Sequence, residues 1–272
     1  MKTYIFCCLA VISLFLLLSN TQCTSEPRTS DDGFVSIFNG KNLDGWFVIL
    51  RKDDDPELKK KVFEVEDGVV HVFKGVPAGF DSDAEPMDRR TFGAMFTDQK
   101  YSNYIFRFEY KWGNKSVNCP QELKLNNGCF YHVSEAKIWP KAIEFQINYK
   151  HISNQNNTGA VLRGGNTYTV YGADSESNNF LPPSEGGIAI KDRLKGFAPR
   201  PVEVDPEKAL DWNQCEIIVM GNQYAIHKLN GEVVNVITDI SVGEGNIGFQ
   251  AEFAEIFYRN MEIKEFEEPV PI

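Results

Sequence analysis

Between Asn127 and Tyr149 the chain reads NGCFYHVSEAKIWPKAIEFQINY, which gathers an imidazole, a carboxylate and several amides into one short stretch. If Ala142 to Tyr149 is a strand, period-2 alternation puts Ile143, Phe145, Ile147 and Tyr149 on one face. Glu144, Gln146, Asn148 and Lys150 then fall on the other. The apolar run Cys129 to Val133 places His132 on the strand before it, across a polar excursion that ends in Trp139-Pro140. Glutamate and histidine are common proton carriers in catalysis. Polar groups on a central strand cost free energy unless the protein or a ligand partners them. An acid, two amides and an amine on one face of such a strand therefore call for partners, in the protein or in a ligand. The same pattern also fits the solvated face of an ordinary antiparallel sheet.

These residues need a scaffold of strands, and the rest of the chain supplies one. Phe34 to Phe38, Trp46 to Leu50, Phe92 to Thr97 and Tyr104 to Trp112 read as strands. In the last, Tyr104, Phe106, Phe108 and Tyr110 alternate with Ile105, Arg107, Glu109 and Lys111. Phe63 to Phe73 reads as two strands about the turn Asp67-Gly68. Asp53 to Lys61 is charged enough for a surface loop or a short helix. Ser153 to Asn157 is uniformly polar and reads as a loop, with short strands at Ala160 to Leu162 and Tyr168 to Tyr171. Ala173 to Pro206, rich in Gly and Pro, reads as a long excursion. Trp212 to Met220, Gln223 to Leu229, Glu232 to Ile237, Ile247 to Ala251 and Ile256 to Phe266 complete the set, with Asn230-Gly231 as a hairpin turn. So many strands, with almost no helical periodicity, predict a single all-β domain built as a two-sheet sandwich.

The first 22 residues stand apart. Lys2 precedes the apolar run Ile5 to Leu18, about 14 residues against the roughly 20 that span a bilayer. That is the form of an export signal. Ser19 to Cys23 resembles a lipoprotein cleavage site with Cys23 as the acylated residue, although Asn20 and Gln22 are unusual there; plain secretion is the alternative. The expected organisation is a leader over 1–22, a tether over 23–32 and the sandwich over 33–272. The protein would be exported, as a periplasmic or outer-membrane lipoprotein or as a secreted form. Its only membrane contact would be a lipid on Cys23.

Net charge is −10. Removing a leader that holds Lys2 and no acid makes it −11, which disfavours nucleic acid and anionic lipid as partners. Of six cysteines, Cys119, Cys129 and Cys215 lie in the expected domain, an odd set that makes no disulfide framework. A Cys119–Cys129 bridge is left open, and Cys215 reads as a buried small hydrophobe. No cysteine spacing suggests zinc. No cofactor is expected, and a divalent metal is left open.

Phe34-Val35-Ser36-Ile37-Phe38-Asn39-Gly40-Lys41-Asn42-Leu43-Asp44-Gly45-Trp46 is similar to the opening of the 3-keto-disaccharide hydrolases, also called 3-keto-glucoside 1,2-lyases and 3-keto-2-hydroxyglucal hydratases. The likeness continues, in order, through Tyr101 to Gly113, Asn127 to Val133, Trp139 to Gln146, Trp212 to Val234 and Gly245 to Phe266. The resemblance implies a concanavalin A-like jelly-roll β-sandwich with a sugar site on its concave sheet. It also implies a Glu-x-Gln strand, here Glu144 and Gln146, after an Asn-Gly turn and a short strand, and a late Gln-x-Glu, here Gln250 and Glu252. The chain departs from the pattern at Tyr149, where related chains often carry an Asp.

A retaining or inverting glycosidase flanks the scissile bond with two carboxyl groups, and the Glu144 strand offers one. A 3-keto sugar asks for less. Its carbonyl acidifies the hydrogen on C2, so one base can remove that proton and the C1 substituent leaves by β-elimination; water can then add back. On this reading Glu144 and His132 are the catalytic candidates. Gln146, Trp139, Gln250 and Glu252 would bind substrate, a 3-keto-glucoside or related oligosaccharide. Trp139 would stack on a pyranose or sit in the core. Two alternatives stand beside this one: a carbohydrate-binding module without turnover, and a conventional glycosidase whose second acid is Glu252, Asp174 or Glu185. His71, His151 and His227 have weaker claims, and His227 reads as structural.

Overall fold

The computed structural model describes residues 32–51, 55–78, 91–114, 125–150, 155–162, 167–174, 180–191, 200–203 and 210–271, with backbone alone at 150, 155–162 and 200–203. The leader, Cys23, Cys119 and His151 lie outside them. The strands are β1 (Val35–Ser36), β2 (Trp46–Leu50), β3 (Phe63–Glu66), β4 (Val69–Val72), β5 (Gly93–Thr97), β6 (Asn103–Trp112), β7 (Leu125–Glu135), β8 (Lys141–Lys150), β9 (Gln155–Leu162), β10 (Thr169–Gly172), β11 (Ile188–Lys191), β12 (Arg200–Glu203), β13 (Asn213–Met220), β14 (Tyr224–Leu229), β15 (Glu232–Thr238), β16 (Asn246–Ala251) and β17 (Ile256–Glu265). One short helix, α1 (Pro56–Val62), starts where Asp55 caps the Glu57 N–H at 2.9 Å and proline takes the first turn.

The strands form two antiparallel sheets, a jelly-roll sandwich. One runs β12-β9-β8-β7-β16-β5-β2. The other runs β11-β10-β15-β14-β13-β6-β17-β4-β3, with β1 added on β17. Between them lies a largely aromatic core. From β6 come Tyr104, Phe106, Phe108, Tyr110 and Trp112; from β8 come Ile143, Phe145, Ile147 and Tyr149. Phe108 is the meeting point, edge-on to Phe249 of β16 at 4.9 Å and to Phe145 at 6.4 Å. Alternation on β6 and β8 is thus obeyed, and the polar side of β8 faces away from the core.

Four expectations need correcting. The polar run at Gln155 to Asn157 is not a loop but the start of β9, paired to β8 at Tyr149↔Asn156 and Lys150↔Gln155. Backbone pairing on an already formed neighbour outweighs weak side-chain propensity there. The excursion from Ala173 to Pro206 contains β11 and β12, which add to the sheet edges. Asn127-Gly128 is no turn but lies inside β7, whereas Asn230-Gly231 does turn, with φ of +50° and +87°. Cys129 is a free thiol buried in the core, as is Cys215, so the proposed bridge from Cys129 is absent.

Candidate active site

Glu144 and Gln146 stand on the outer face of the seven-stranded sheet, opposite Phe130 and Gly128 of β7. On the far side of β7 comes β16, with Gly248 opposite Phe130 and Phe249 opposite Cys129; continuing that register puts Gln250 beside Gly128. Gln146, Gly128 and Gln250 therefore make one row, and Glu144, Phe130 and Gly248 the next. Gly128 is where backbone alone fits. A Cβ there would overlap Glu144 Oε1 and lie 2.8 Å from Gln250 Oε1, so the carboxylate and the amide converge over the glycine.

Both converging groups are wholly buried. Gln250 is the more telling, because among the described residues neither its amide oxygen nor its nitrogen has a hydrogen-bond partner. A buried amide in that condition costs about 1–3 kcal/mol for each polar atom left unsatisfied, so a water or a ligand is the natural partner for it. A charge beside it has further effects. Burial, with the Glu144 carboxylate adding to it, pushes the Cys129 thiol up, so that cysteine is no nucleophile. Burial and Glu144 raise the Tyr168 hydroxyl in the same way.

A polar chain leads outward from this pair. Gln146 Nε2 donates to Asn126 Oδ1 and, at 2.9 Å, to the Asn127 carbonyl. Asn126 Nδ2 donates to Glu252 Oε2 at 3.4 Å, and Trp139 Nε1 donates to Glu252 Oε1 at 3.3 Å. Trp139 is 37% exposed, so it belongs to a surface and not to the core. It leaves the β7–β8 excursion yet reaches the end of β16, which means that the excursion folds back across the sheet face. Ala136 on the way packs against the second apolar cluster, Phe96 and Phe130 among it.

The structure thus brings together Glu144, Gln146, Gln250, Glu252 and Trp139. It does not bring His132. Alternation would have set that ring on the Glu144 face, but a bulge in β7 between Tyr131 and Glu135 interrupts the register. His132 takes a left-handed φ of +50° at that bulge. Its ring then packs 6.2 Å from Tyr104 of the opposite sheet, and Nδ1 donates to the Val242 carbonyl at 2.6 Å. Burial lowers its affinity for a proton. His227 is also in the core, bonded to the Tyr131 hydroxyl at 2.8 Å. Asp174 and Glu185 are exposed, following β10 and preceding β11 at the edge of the other sheet.

Sequence reasoning missed Asn126, Asn127 and Gly128, hidden in what looked like a turn. His71, of weaker claim, stands on β4 away from these residues, its Nε2 2.7 Å from Glu255 Oε1, while the Asn114 N–H donates to Glu255 Oε2 at 2.8 Å. Among the described residues no cluster of three or more His, Cys, Asp or Glu could hold a metal ion.

The model of the 3-keto-alpha-glucoside-1,2-lyase-like domain matches residues 33–264. The chain belongs to this family. Membership in the 3-keto-alpha-glucoside-1,2-lyase-like family supports a carbohydrate-active enzyme, and the match covers both sheets. No curated protein matches the chain. Among solved structures it is similar to a Parabacteroides distasonis protein described provisionally as a glycosyl hydrolase, at 19% identity and TM-score 0.50 over 87% of this chain and 95% of that one. A second protein of that organism with the same provisional description matches at 19% identity and TM-score 0.45, over 86% and 99%. At 19% identity the first of these likenesses speaks for the fold alone.

Proposed function

We propose that the protein cleaves 3-keto-glycosides by β-elimination, with Glu144 as the base. The observation that carries this reading is the convergence of a buried carboxylate with an amide that has no hydrogen-bond partner among the described residues, over a glycine whose missing side chain lets the two come together. Glu144 takes the proton from C2, and the electron pair moves into the adjacent C3 carbonyl as an enolate. In this scheme the Gln250 amide N–H holds that developing oxygen. Collapse of the enolate breaks the bond from C1 to its oxygen, forms the C1–C2 double bond, and the departing oxygen takes back the proton from Glu144. Addition of water to the unsaturated product gives net hydrolysis. The scheme needs no cofactor. Gln146 spends its N–H groups on Asn126 and Asn127, so it serves substrate hydroxyls through its carbonyl oxygen. His132, turned between the sheets, stands outside the scheme. Glu252, engaged by Trp139 and Asn126, lines the approach with the indole. The apolar N-terminal run extends this reading to an exported protein, with a lipid on Cys23 as its anchor.

The test pairs a glucoside with its 3-keto form. Wild-type protein should consume only the oxidised sugar and release a 2-hydroxyglucal intermediate, and Glu144→Gln should slow that by about 10²- to 10⁴-fold. Cleavage of the unoxidised sugar alone would assign a two-carboxylate glycosidase instead, and binding without turnover a carbohydrate-binding module.

A further inference from the structure

Three described arginines lie over aromatic rings, and one differs from the other two. Arg107 sits 3.8 Å from the Phe34 centroid and pairs with Asp32 and Glu262, both at 2.7 Å. Arg259 sits 3.8 Å from Trp212 and pairs with Glu109 at 2.7 Å. Arg51 lies 5.1 Å from the Trp139 centroid; among the described residues it makes no ion pair, and its Nη1 is buried without a hydrogen bond. In a chain with a net charge of −10, a guanidinium left without a carboxylate is out of character.

Its location suggests a purpose. The Arg51 N–H donates to the Phe92 carbonyl at 2.7 Å, which sets it one step past the Leu50↔Gly93 pair of β2 and β5. Ala251 of β16 pairs with Gly93 in turn, so Arg51 falls in the row of Glu252. The guanidinium therefore borders the polar face of the candidate site on its β2 side, with Trp139 between it and Glu252. Glu252 is not its partner in this arrangement: its carboxylate oxygens accept from Asn126 and Trp139, and the indole stands between the two charges.

We propose that Arg51 and Trp139 form an anionic subsite beside the reacting sugar, which accepts a ring bearing a carboxylate, that is, a uronic acid residue. The planar fork of a guanidinium matches a carboxylate through two parallel hydrogen bonds. The exposed part of the indole supplies the apolar surface that a pyranose lies against. This subsite rests on the reading of the face as a saccharide site, but not on the elimination step.

Binding of matched disaccharides, one with a terminal glucuronate and one with a terminal glucose, separates the two ideas. By calorimetry, wild-type protein should bind the glucuronate form about tenfold or more tightly, with the advantage shrinking as salt is raised. Arg51→Gln should erase the preference. Arg51→Lys, which keeps the charge but loses the fork, should retain only part of it and stands in if Arg51→Gln does not fold. Glu144→Gln should leave the preference intact. Equal affinity for both disaccharides, or a preference that survives Arg51→Gln, would overturn the subsite, and tighter binding of a sulfated ring than of the uronate would overturn the carboxylate assignment. If 3-keto turnover fails while the uronate preference holds, the reaction falls and the subsite remains; the reverse result removes the subsite alone.

Discussion

Gly128 decides how close the two key side chains can come. Its backbone is not in the left-handed region, so alanine could adopt the same strand conformation there. What forbids a side chain is the occupied space above it, since a Cβ would overlap Glu144 Oε1 and crowd Gln250 Oε1. A Gly128→Ala variant should keep the sandwich at a cost of about 1–3 kcal/mol from overpacking. It should lose 3-keto-glucoside turnover by about 10²-fold or more, because the methyl group pushes apart the carboxylate and the amide that converge there. Thermal melts and turnover measured on the same sample separate the two effects, and an active Gly128→Ala protein would mean that turnover does not depend on this convergence. The glycine was present in the sequence next to an asparagine, but that pair is also the commonest hairpin signal. Nothing local distinguishes a glycine that bends the chain from one that clears space for residues 16 and 122 positions further on.

The elements that carry the site are tied together by one asparagine. Asn127 of β7 is wholly buried, its Oδ1 accepts the Glu252 N–H at 3.0 Å, and its Nδ2 donates to the Ala254 carbonyl at 2.8 Å. It thereby fastens the corner between β16 and β17, which presents Glu252, to the strand that carries Gly128. Asn127→Ala removes both bonds and strands two buried backbone groups, so urea unfolding should show a loss of about 1–3 kcal/mol. Asn127→Asp, which keeps the acceptor but sets a buried carboxylate against the Ala254 carbonyl, should lose at least as much at neutral pH. Unfolding curves that superimpose for wild type and Asn127→Ala would show that the corner is held by other means. Strands with strict alternation, such as β6 and β8, were legible because one face meets the core and the other does not. The start of β9 and the whole of β12 were not, since they are held by backbone pairing to a neighbour, whereas Ala160 to Leu162 at the end of β9 did read as a strand. The β7 bulge was equally invisible: it depends on the loop before β16, where Val242 takes the His132 N–H, and that contact spans 110 residues. Glu144, Gln146, Gln250, Glu252 and Trp139 could be named from pattern and resemblance, but His132 was lost to that bulge.

At the scale of the molecule, the two sheets close over an aromatic core that also holds imidazoles, and this sets how the fold answers acid. His227 lies edge-on to Phe145 with ring centroids 4.5 Å apart, and burial pushes it down to about 3 from an ordinary 6.5. An unfolded chain hydrates that ring and lets it take a proton near the ordinary value, whereas the folded chain refuses one until the pH is far lower. Between pH 6.5 and pH 3 the unfolded state therefore binds the extra proton, and stability must fall as pH falls. The contribution is complete above about 6.5 and is lost progressively on the way to 3, by about 1.4 kcal/mol for each pH unit. His132, lowered in the same direction by burial, adds to the slope with the same sign. Replacing His227 with glutamine keeps a polar group near the Tyr131 hydroxyl and removes the titration. Urea midpoints for the two proteins between pH 4 and pH 7 should then converge at the acid end, the wild type losing stability about one proton's worth faster, while His132 and the carboxylates cancel in the difference. Parallel curves across that range would mean that His227 gains its proton inside the folded sandwich, and that the core around Phe145 and Tyr131 admits water.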